Sequence, residues 1–426
     1  MKKISLIIAA CGLLILPFVF LYPKIKTLVK NKNEKNTFLK GISKNKLIDK
    51  IKNHSKWMED RILEDLNPFY ENKITQKALL ETFNTIASRR EKDKTNFIRF
   101  RIINNKLYMY IPEKDFFPKR QFTFEKALRT LCKMIKMPNV DIIYSDEDGT
   151  PLFFNQKDFF ITTDPKLQAP LLSRGKHKNL KYIALIPDYH DLSYKNMEMI
   201  NKITALNGKY PWEEKQNLAF WRGVNRKKAR YLLSIISYQN PSLIDAGFPD
   251  NIHEENQDID TPNADISHLK KEFASHDDHL KYKYLPVLDG FFCTYPGYQW
   301  RLFSNSLCFK QESLEIQWFY KGLKPYEHYI PIKDDMSDIL EKIDWARKND
   351  GLCKKITENA MKFASNNLFI ENTYAYLFLL LTEYEKQQAF NKKDLIKDTS
   401  TNKKWICIQD RKAANNFLKK RGFKVF

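Results

Sequence analysis

Apolar positions between residues 56 and 88 recur at helical spacing. They fall at Trp57, Ile62 and Leu66, then at Ile74, Leu79, Phe83 and Ile86, which predicts a helical region interrupted at Pro68. Residues 97–103 and 106–111 have the composition of strands, and Asn104-Asn105 between them suits a hairpin turn. A helix is expected over 124–134. A short apolar strand at 141–144 then ends in the acidic turn Ser145-Asp146-Glu147-Asp148-Gly149. Further short strands are expected at 182–186, 218–221, 284–288, 307–309 and 329–332. Helical patterns lie between them: one begins near Lys227, and another runs through Trp300 and Phe303. A third places Met336, Ile339, Leu340, Ile343 and Ala346 on one face before Gly351 stops it. Strands alternating with helices predict an α/β fold of parallel sheets with helices on both faces. At 426 residues, two such units fit better than one. The expected division is 57–210 and 211–390.

Residues 4–22 are apolar apart from Ser5. At ~1.5 Å per residue a helix over them just crosses a bilayer core, so residues 1–23 are expected to form a transmembrane anchor, with 24–56 a lysine-rich linker. Ile8-Ala9-Ala10-Cys11 imitates a lipidation site, yet the apolar run continues well past Cys11. Two lysines precede the span, whereas Lys24, Lys26, Lys30, Lys32 and Lys35 follow it closely. By the positive-inside rule the body then lies on the cytoplasmic face, with the linker lysines against anionic headgroups.

A formal net charge of +21 invites a nucleic-acid partner, but the distribution of charge argues against one. Between residues 23 and 56 eleven lysines face only Glu34 and Asp49, and between 391 and 426 eleven lysines and arginines face only Asp394, Asp398 and Asp410. The body from 57 to 390 is left nearly neutral, and 391–426 is expected to be a basic tail. A hydrophobic content of 43% with only 12 glycines excludes a disordered or collagen-like chain. The six cysteines show no C-x-x-C pair and no metal spacing with histidine, which excludes a disulfide framework and suits a reducing compartment.

Ligands of parallel α/β sheets sit beyond the carboxyl ends of the strands, and three groups fall there. Phe220-Trp221-Arg222-Gly223-Val224-Asn225-Arg226, with Arg230 a turn further on, combines a glycine, a helix start and several arginines, as a diphosphate site requires; a surface arginine cluster is the alternative. Tyr295-Pro296-Gly297-Tyr298-Gln299-Trp300-Arg301, leading to Ser304-Asn305-Ser306, suits a nucleoside with its phosphates, or an aromatic core corner. Asp146-Glu147-Asp148 offers clustered carboxylates, one of which is suited to be a general base. The same triplet reads as a D-x-D metal clamp or as a solvated turn.

The runs His279-Leu280-Lys281-Tyr282-Lys283-Tyr284-Leu285, Ser304-Asn305-Ser306-Leu307, Lys310-Gln311-Glu312-Ser313, Trp318-Phe319-Tyr320 and Leu323-Lys324-Pro325-Tyr326-Glu327-His328-Tyr329-Ile330-Pro331-Ile332 resemble the C-terminal half of glycosyltransferase family 90. Phe220-Trp221-Arg222-Gly223 is similar to its F-R-G-S element, and Asn240-Pro241-Ser242-Leu243-Ile244-Asp245-Ala246 to the N-P-x-L-x-D-A stretch after it. The resemblance spans about 138–384. It implies a GT-B-like pair of Rossmann-type domains facing a cleft, and a UDP-sugar donor with no further cofactor. It also implies inverting transfer without a metal, which disfavours both the D-x-D clamp and a metal at His276-Asp277-Asp278-His279.

By the same resemblance Asp148 is the catalytic base, with Asp146 the alternative, and Arg230 binds the diphosphate. Arg222, Gly223, Asn225, Arg226, Arg301, Ser304, Asn305 and Ser306 complete the expected donor site. Two departures stand out: Val224 replaces the family's serine, so that one diphosphate contact is either missing or supplied elsewhere, with Asn225 the candidate, and Pro296-Gly297 stands where the animal enzymes carry an arginine. The resulting expectation is a membrane-anchored transferase acting on a lipopolysaccharide-core-like glycan or glycolipid. A protein O-glucosyl- or xylosyltransferase and a non-catalytic basic membrane-associated protein are the alternatives.

Overall fold

The computed structural model of the chain describes residues 42–88, 97–112, 122–147, 162, 164–250 and 265–422. The expected anchor, and the linker as far as residue 41, lie outside them. Among the described residues no helix is long and apolar enough to cross a membrane.

β1 (Phe97–Ile103) and β2 (Lys106–Tyr110) form the expected hairpin. Both turn residues, Asn104 and Asn105, adopt positive φ (51° and 59°), which the tight hairpin turn demands and asparagine tolerates. The Asn105 side chain donates to the carbonyls of Cys132 and Ile135, and its Oδ1 accepts from the Met137 amide. It thereby ties the turn to the end of helix Phe122–Met134. β3 (Val140–Ser145) pairs antiparallel to β1, and β4 (Leu171–Ser173) parallel to β3. After the two-residue β5 (Lys176–His177), β6 (Ile183–Leu185) adds parallel to β4. Parallel pairing joins only β3 to β4 and β4 to β6 among the described strands, so the first sheet is mixed rather than Rossmann-like throughout. The cause is local: a two-residue turn permits antiparallel pairing alone.

The second sheet is built from β7 (Gln216–Arg222), β8 (Ile244–Pro249), β9 (Lys270–Lys271), β10 (Tyr282–Val287), β11 (Leu307–Gln311) and, after β12 (Glu315–Ile316), β13 (Ile330–Ile332). Every pairing is parallel, in the order β9-β8-β7-β10-β11-β13. This is the doubly wound Rossmann order, 3-2-1-4-5-6. Helices Lys228–Gln239 and Ile339–Lys348 cover it, burying Leu233, Ile339 and Ile343 against Ala219, Tyr284 and Phe309.

β14 (Trp405–Cys407) returns to the first sheet and pairs antiparallel with β2, giving the order β14-β2-β1-β3-β4-β6. The expected basic tail is therefore a helix–strand–helix, Lys392–Thr401, β14 and Arg411–Lys420, packed on the fold. A buried charge network fastens it. Asp141 accepts two hydrogen bonds from Arg99 at 2.7 Å and one from Arg101 Nε at 2.6 Å. Arg101 also reaches Asp398 at 2.6 Å and lies 4.0 Å from the Trp405 ring centre. Helix Ile370–Gln387, assigned to the C-terminal domain by its position in the chain, packs instead on the first half. Tyr376 donates to the Leu185 carbonyl and Tyr384 to that of Asp141. Helix Lys44–Lys52, inside the expected linker, buries Leu47.

Candidate active site

The strand order of the second sheet reverses between β7 and β10, and the crevice beyond their carboxyl ends is where such sheets bind ligands. The loop after β7 carries Gly223, and a β-carbon there would lie 2.5 Å from the Trp221 indole. No larger residue fits without displacing that ring. Arg230, on the first turn of the following helix, clamps the crevice. Its Nε donates to the Asp289 carbonyl at 2.7 Å, Nη1 to Val224 at 2.9 Å and Nη2 to Leu288 at 3.1 Å. These three bonds leave two of its five N–H groups for a ligand. Burial, with Arg226 nearby, pushes Arg230 down to about 10, against the pull of Asp289. Asn225 is buried, and Arg226 lies 4.3 Å from the Phe291 ring centre. Arg222 does not reach into the crevice: its guanidinium binds the Asp245 carboxylate at 3.0 Å and the carbonyls of Trp221, Asp245 and Glu272.

Arg301 closes helix Gly297–Arg301, which follows the β10 loop. Nη1 donates to the Gly297 carbonyl at 2.9 Å, while Nε has no partner. Burial pushes it down to about 10, and Arg230 pushes in the same direction against the influence of the Cys308 thiol. No carboxylate pairs with it among the described residues. Beside it His279 bonds the Ser275 carbonyl through Nδ1 and leaves Nε2 buried without a partner. Burial, then Arg301, hold that imidazole neutral, down to about 3.

Ser304, Asn305 and Ser306, expected in the donor site, lie at the opposite pole. The helix after Gly297 carries the chain back to the start of β11, so these residues sit at the amino ends of the strands. Ser304 donates to the Arg301 carbonyl and Ser306 to that of Tyr282. Buried Lys215, pushed down to about 7 by desolvation, donates to the Leu280 and Ser304 carbonyls and to the Ser306 hydroxyl. Their role is structural.

Across the crevice stand the carboxyl ends of β3 and β4. Asp148 lies outside the described residues. Asp146, the alternative, is buried, and its Oδ1 accepts from the Tyr144 hydroxyl at 2.6 Å. Arg174, after β4, grips the acidic turn: Nη2 donates to the Asp146 carbonyl, Nε to that of Glu147 and Nη1 to the Asp188 carboxylate. The same guanidinium lies 5.6 Å from the ring centre of Tyr295, which belongs to the β10 loop of the other half. Next to it Gly175 allows the halves to touch, since a β-carbon there would lie 2.2 Å from the Tyr295 hydroxyl. The antiparallel ribbon β5–β12 also joins the halves. On it burial, then Asp289, push Glu315 up to about 7, with Lys227 opposing.

Asp188 and Asp191 form a buried carboxylate pair behind Arg174. Burial opposes ionisation of Asp188, but His190 and Arg174 outweigh it and hold the group below the usual range. Burial, then the Asp188 charge, hold Asp191 well above that range, although it accepts from the Trp318 indole at 2.8 Å. A carboxyl raised on folding keeps a proton that the unfolded chain releases, so its contribution to stability falls as pH rises from the ordinary carboxylate range towards the raised value. Denaturant melts should show Asp191→Asn losing less stability than wild type between about pH 5 and pH 8. Equal slopes would remove Asp191 from this account.

Arg174, Asp188, Asp191 and Glu315 escape sequence reasoning, because each depends on contacts made between the two halves or on burial that residue type does not announce, and Tyr295, read with the nucleoside group, turns out to meet Arg174 and Gly175 of the other half. Clustering of Ile186-Pro187-Asp188-Tyr189-His190-Asp191 directly after a strand was the available signal.

The sequence profile of Glycosyl transferase family 90 matches residues 53–421. Mouse (Mus musculus) protein O-glucosyltransferase 3 is 27% identical over 328 residues, covering 75% of this chain and 61% of that protein. Rat (Rattus norvegicus) protein O-glucosyltransferase 1 is 33% identical over 184 residues, 43% of this chain and 45% of that one. The chain thus spans about three fifths of the length of the first relative. Among solved structures, a glycosyltransferase from Rickettsia africae ESF-5 aligns over 51% of this chain and 64% of its own at 13% identity, with a TM-score of 0.32. A profile match from the helix that opens at Lys56 to the end of the C-terminal module covers both sheets and the crevice between them, and the chain belongs to glycosyltransferase family 90.

Proposed function

We propose that the chain transfers a sugar from a UDP-sugar to a hydroxyl of a cell-surface glycan or glycolipid of lipopolysaccharide-core type, with inversion and without a metal. The observation that carries this reading is a pair of cations beside the β7–β10 switch point, half-buried Arg230 and buried Arg301, the latter without a carboxylate partner among the described residues. A buried charge is costly unless something neutralises it, and a diphosphate supplies two negative groups to the N–H donors left over. In transfer, Asp148 takes the proton of the acceptor hydroxyl while that oxygen attacks the anomeric carbon opposite the diphosphate. The carbon–oxygen bond to phosphate breaks, and UDP leaves with the negative charge that the arginines offset. The anchor over residues 1–23 holds the body at the cytoplasmic face of a membrane, where lipid-linked acceptors lie.

A protein hydroxyl is the second reading for the acceptor, favoured by relatives named protein O-glucosyltransferases. A screen of UDP-sugars against the full chain in detergent tests the donor: one sugar nucleotide should be hydrolysed, or bound, well above the others. Indifference to all of them would overturn the reading. With the donor known, label recovered in lipid extracts or in protein separates the two acceptors.

A further inference from the structure

The C-terminal helix–strand–helix holds ten lysines and arginines between Lys392 and Arg421 and only three carboxylates. Each carboxylate is engaged within the fold. Asp394 completes the capping box of helix Lys392–Thr401 with Asn391, Asp398 pairs with buried Arg101 at 2.6 Å, and Asp410 caps helix Arg411–Lys420 by accepting from the Ala413 amide. Among the described residues no carboxylate lies within ion-pair distance of Lys397, Lys403, Lys412, Lys419, Lys420 or Arg421. All six are exposed.

These cations flank apolar surface. Edge strand β14 floors a groove of about 520 Å³ between the two helices, lined by Tyr108, Trp405, Cys407 and Phe417, with Lys403 and Arg421 among its walls. Phe417 is 43% exposed, and Ile396, on the neighbouring helix, 42%. A second hollow of about 430 Å³ near the Asn105 turn is lined by Lys44, Lys133 and Lys136. Helix Phe122–Met134 links the two: Arg411 lies 4.4 Å from the Phe122 ring centre, Gln409 donates to the Arg129 carbonyl, and Lys133 stands on its last turn. Residues 1–41, with their apolar run, are joined to the body two residues before Lys44.

We propose that this edge of the fold is a docking surface for anionic phospholipid headgroups. Uncompensated lysines supply attraction to a negatively charged leaflet, and half-exposed Phe417 and Ile396 among them suit the headgroup–acyl boundary. Nucleic acid would need the cations without the aliphatic surface. The surface lies along the β14 edge of the first sheet, where β2 and β1 stand between β14 and β3, the strand that leads to Asp146. The inference stands on charge and shape and does not require the transferase reading.

Lysine acetylation footprinting of the full chain tests it, on vesicles of phosphatidylcholine alone and of phosphatidylcholine with one third phosphatidylglycerol. Lys403, Lys412 and Lys419 should be labelled several-fold more slowly on the anionic vesicles, with Lys355 unchanged and the difference abolished in ~0.5 M salt. In the triple variant Lys412→Glu, Lys419→Glu, Lys420→Glu the protection of Lys403 on the anionic vesicles should fall back to that on phosphatidylcholine alone. Equal labelling on both vesicles overturns the proposal, as does stronger protection by a single-stranded oligonucleotide than by either. Since UDP binding is measured in the same samples, a failure there leaves this surface standing.

Discussion

Replacing Arg301 by methionine is expected to make the protein more stable and a far poorer enzyme. Removing the side chain forfeits one hydrogen bond, to the Gly297 carbonyl, and a cation–π contact with Trp300 at 4.3 Å. Together these are worth about 2–4 kcal/mol. Against that stands the desolvation of a buried guanidinium with no carboxylate partner among the described residues, several kcal/mol in real proteins. Desolvation outweighs the contacts, so the thermal midpoint of Arg301→Met should rise. A charge kept at such cost has a use elsewhere, and an anionic leaving group is the use proposed here. Loss of one preorganised donor to that group lowers turnover by about 10²–10³-fold, and UDP should bind more weakly as well. Calorimetry of the unliganded variant and UDP titration decide it. A lowered midpoint with unchanged UDP affinity would make Arg301 a structural residue and remove half of the cation pair.

Why Arg301 belongs to the site while Ser304, Asn305 and Ser306 do not shows where sequence reasoning stops. All four fall within six positions. The helix from Gly297 runs from the carboxyl end of one parallel strand to the amino end of the next, so a few residues separate opposite poles of the sheet. Nothing in residue type reveals that descent.

Four strands of the second sheet, β7, β10, β11 and β13, were legible, because parallel strands buried on both faces leave short apolar runs with helix starts between them, whereas β8, with Asp245, Gly247 and Pro249 in it, was not. Asn104-Asn105 announced its hairpin through the conformations asparagine tolerates. β9 and β12, two residues each, carry no periodic signal at all. β14 does contain an apolar run, Trp405-Ile406-Cys407-Ile408, but the surrounding lysines made the segment read as a solvated tail. The burial of Arg99 and Arg101 in the all-buried β1 was equally hidden, since their partner Asp141 lies about forty residues away. Helix Ile370–Gln387 carries a long apolar run, and such a run does not say which sheet it covers.

The carboxylate that deprotonates the acceptor is open to a direct comparison of two variants. Asp146 is already committed: its Oδ1 accepts from Tyr144 at 2.6 Å, its carbonyl is held by Arg174, and its side chain is buried. A general base must offer a lone pair to a substrate hydroxyl. The family resemblance assigns that part to Asp148 instead. Asp148→Asn is therefore expected to lower kcat by about 10²–10⁴-fold while UDP affinity stays that of the wild type, because the base does not touch the diphosphate. Asp146→Asn keeps an oxygen for the Tyr144 hydroxyl and should retain most of the activity. If the larger loss falls on Asp146→Asn with its fold intact, the proton goes to Asp146 instead. If neither variant loses turnover, the acidic turn has no part in the chemistry, and the crevice between the two sheets loses its proposed base.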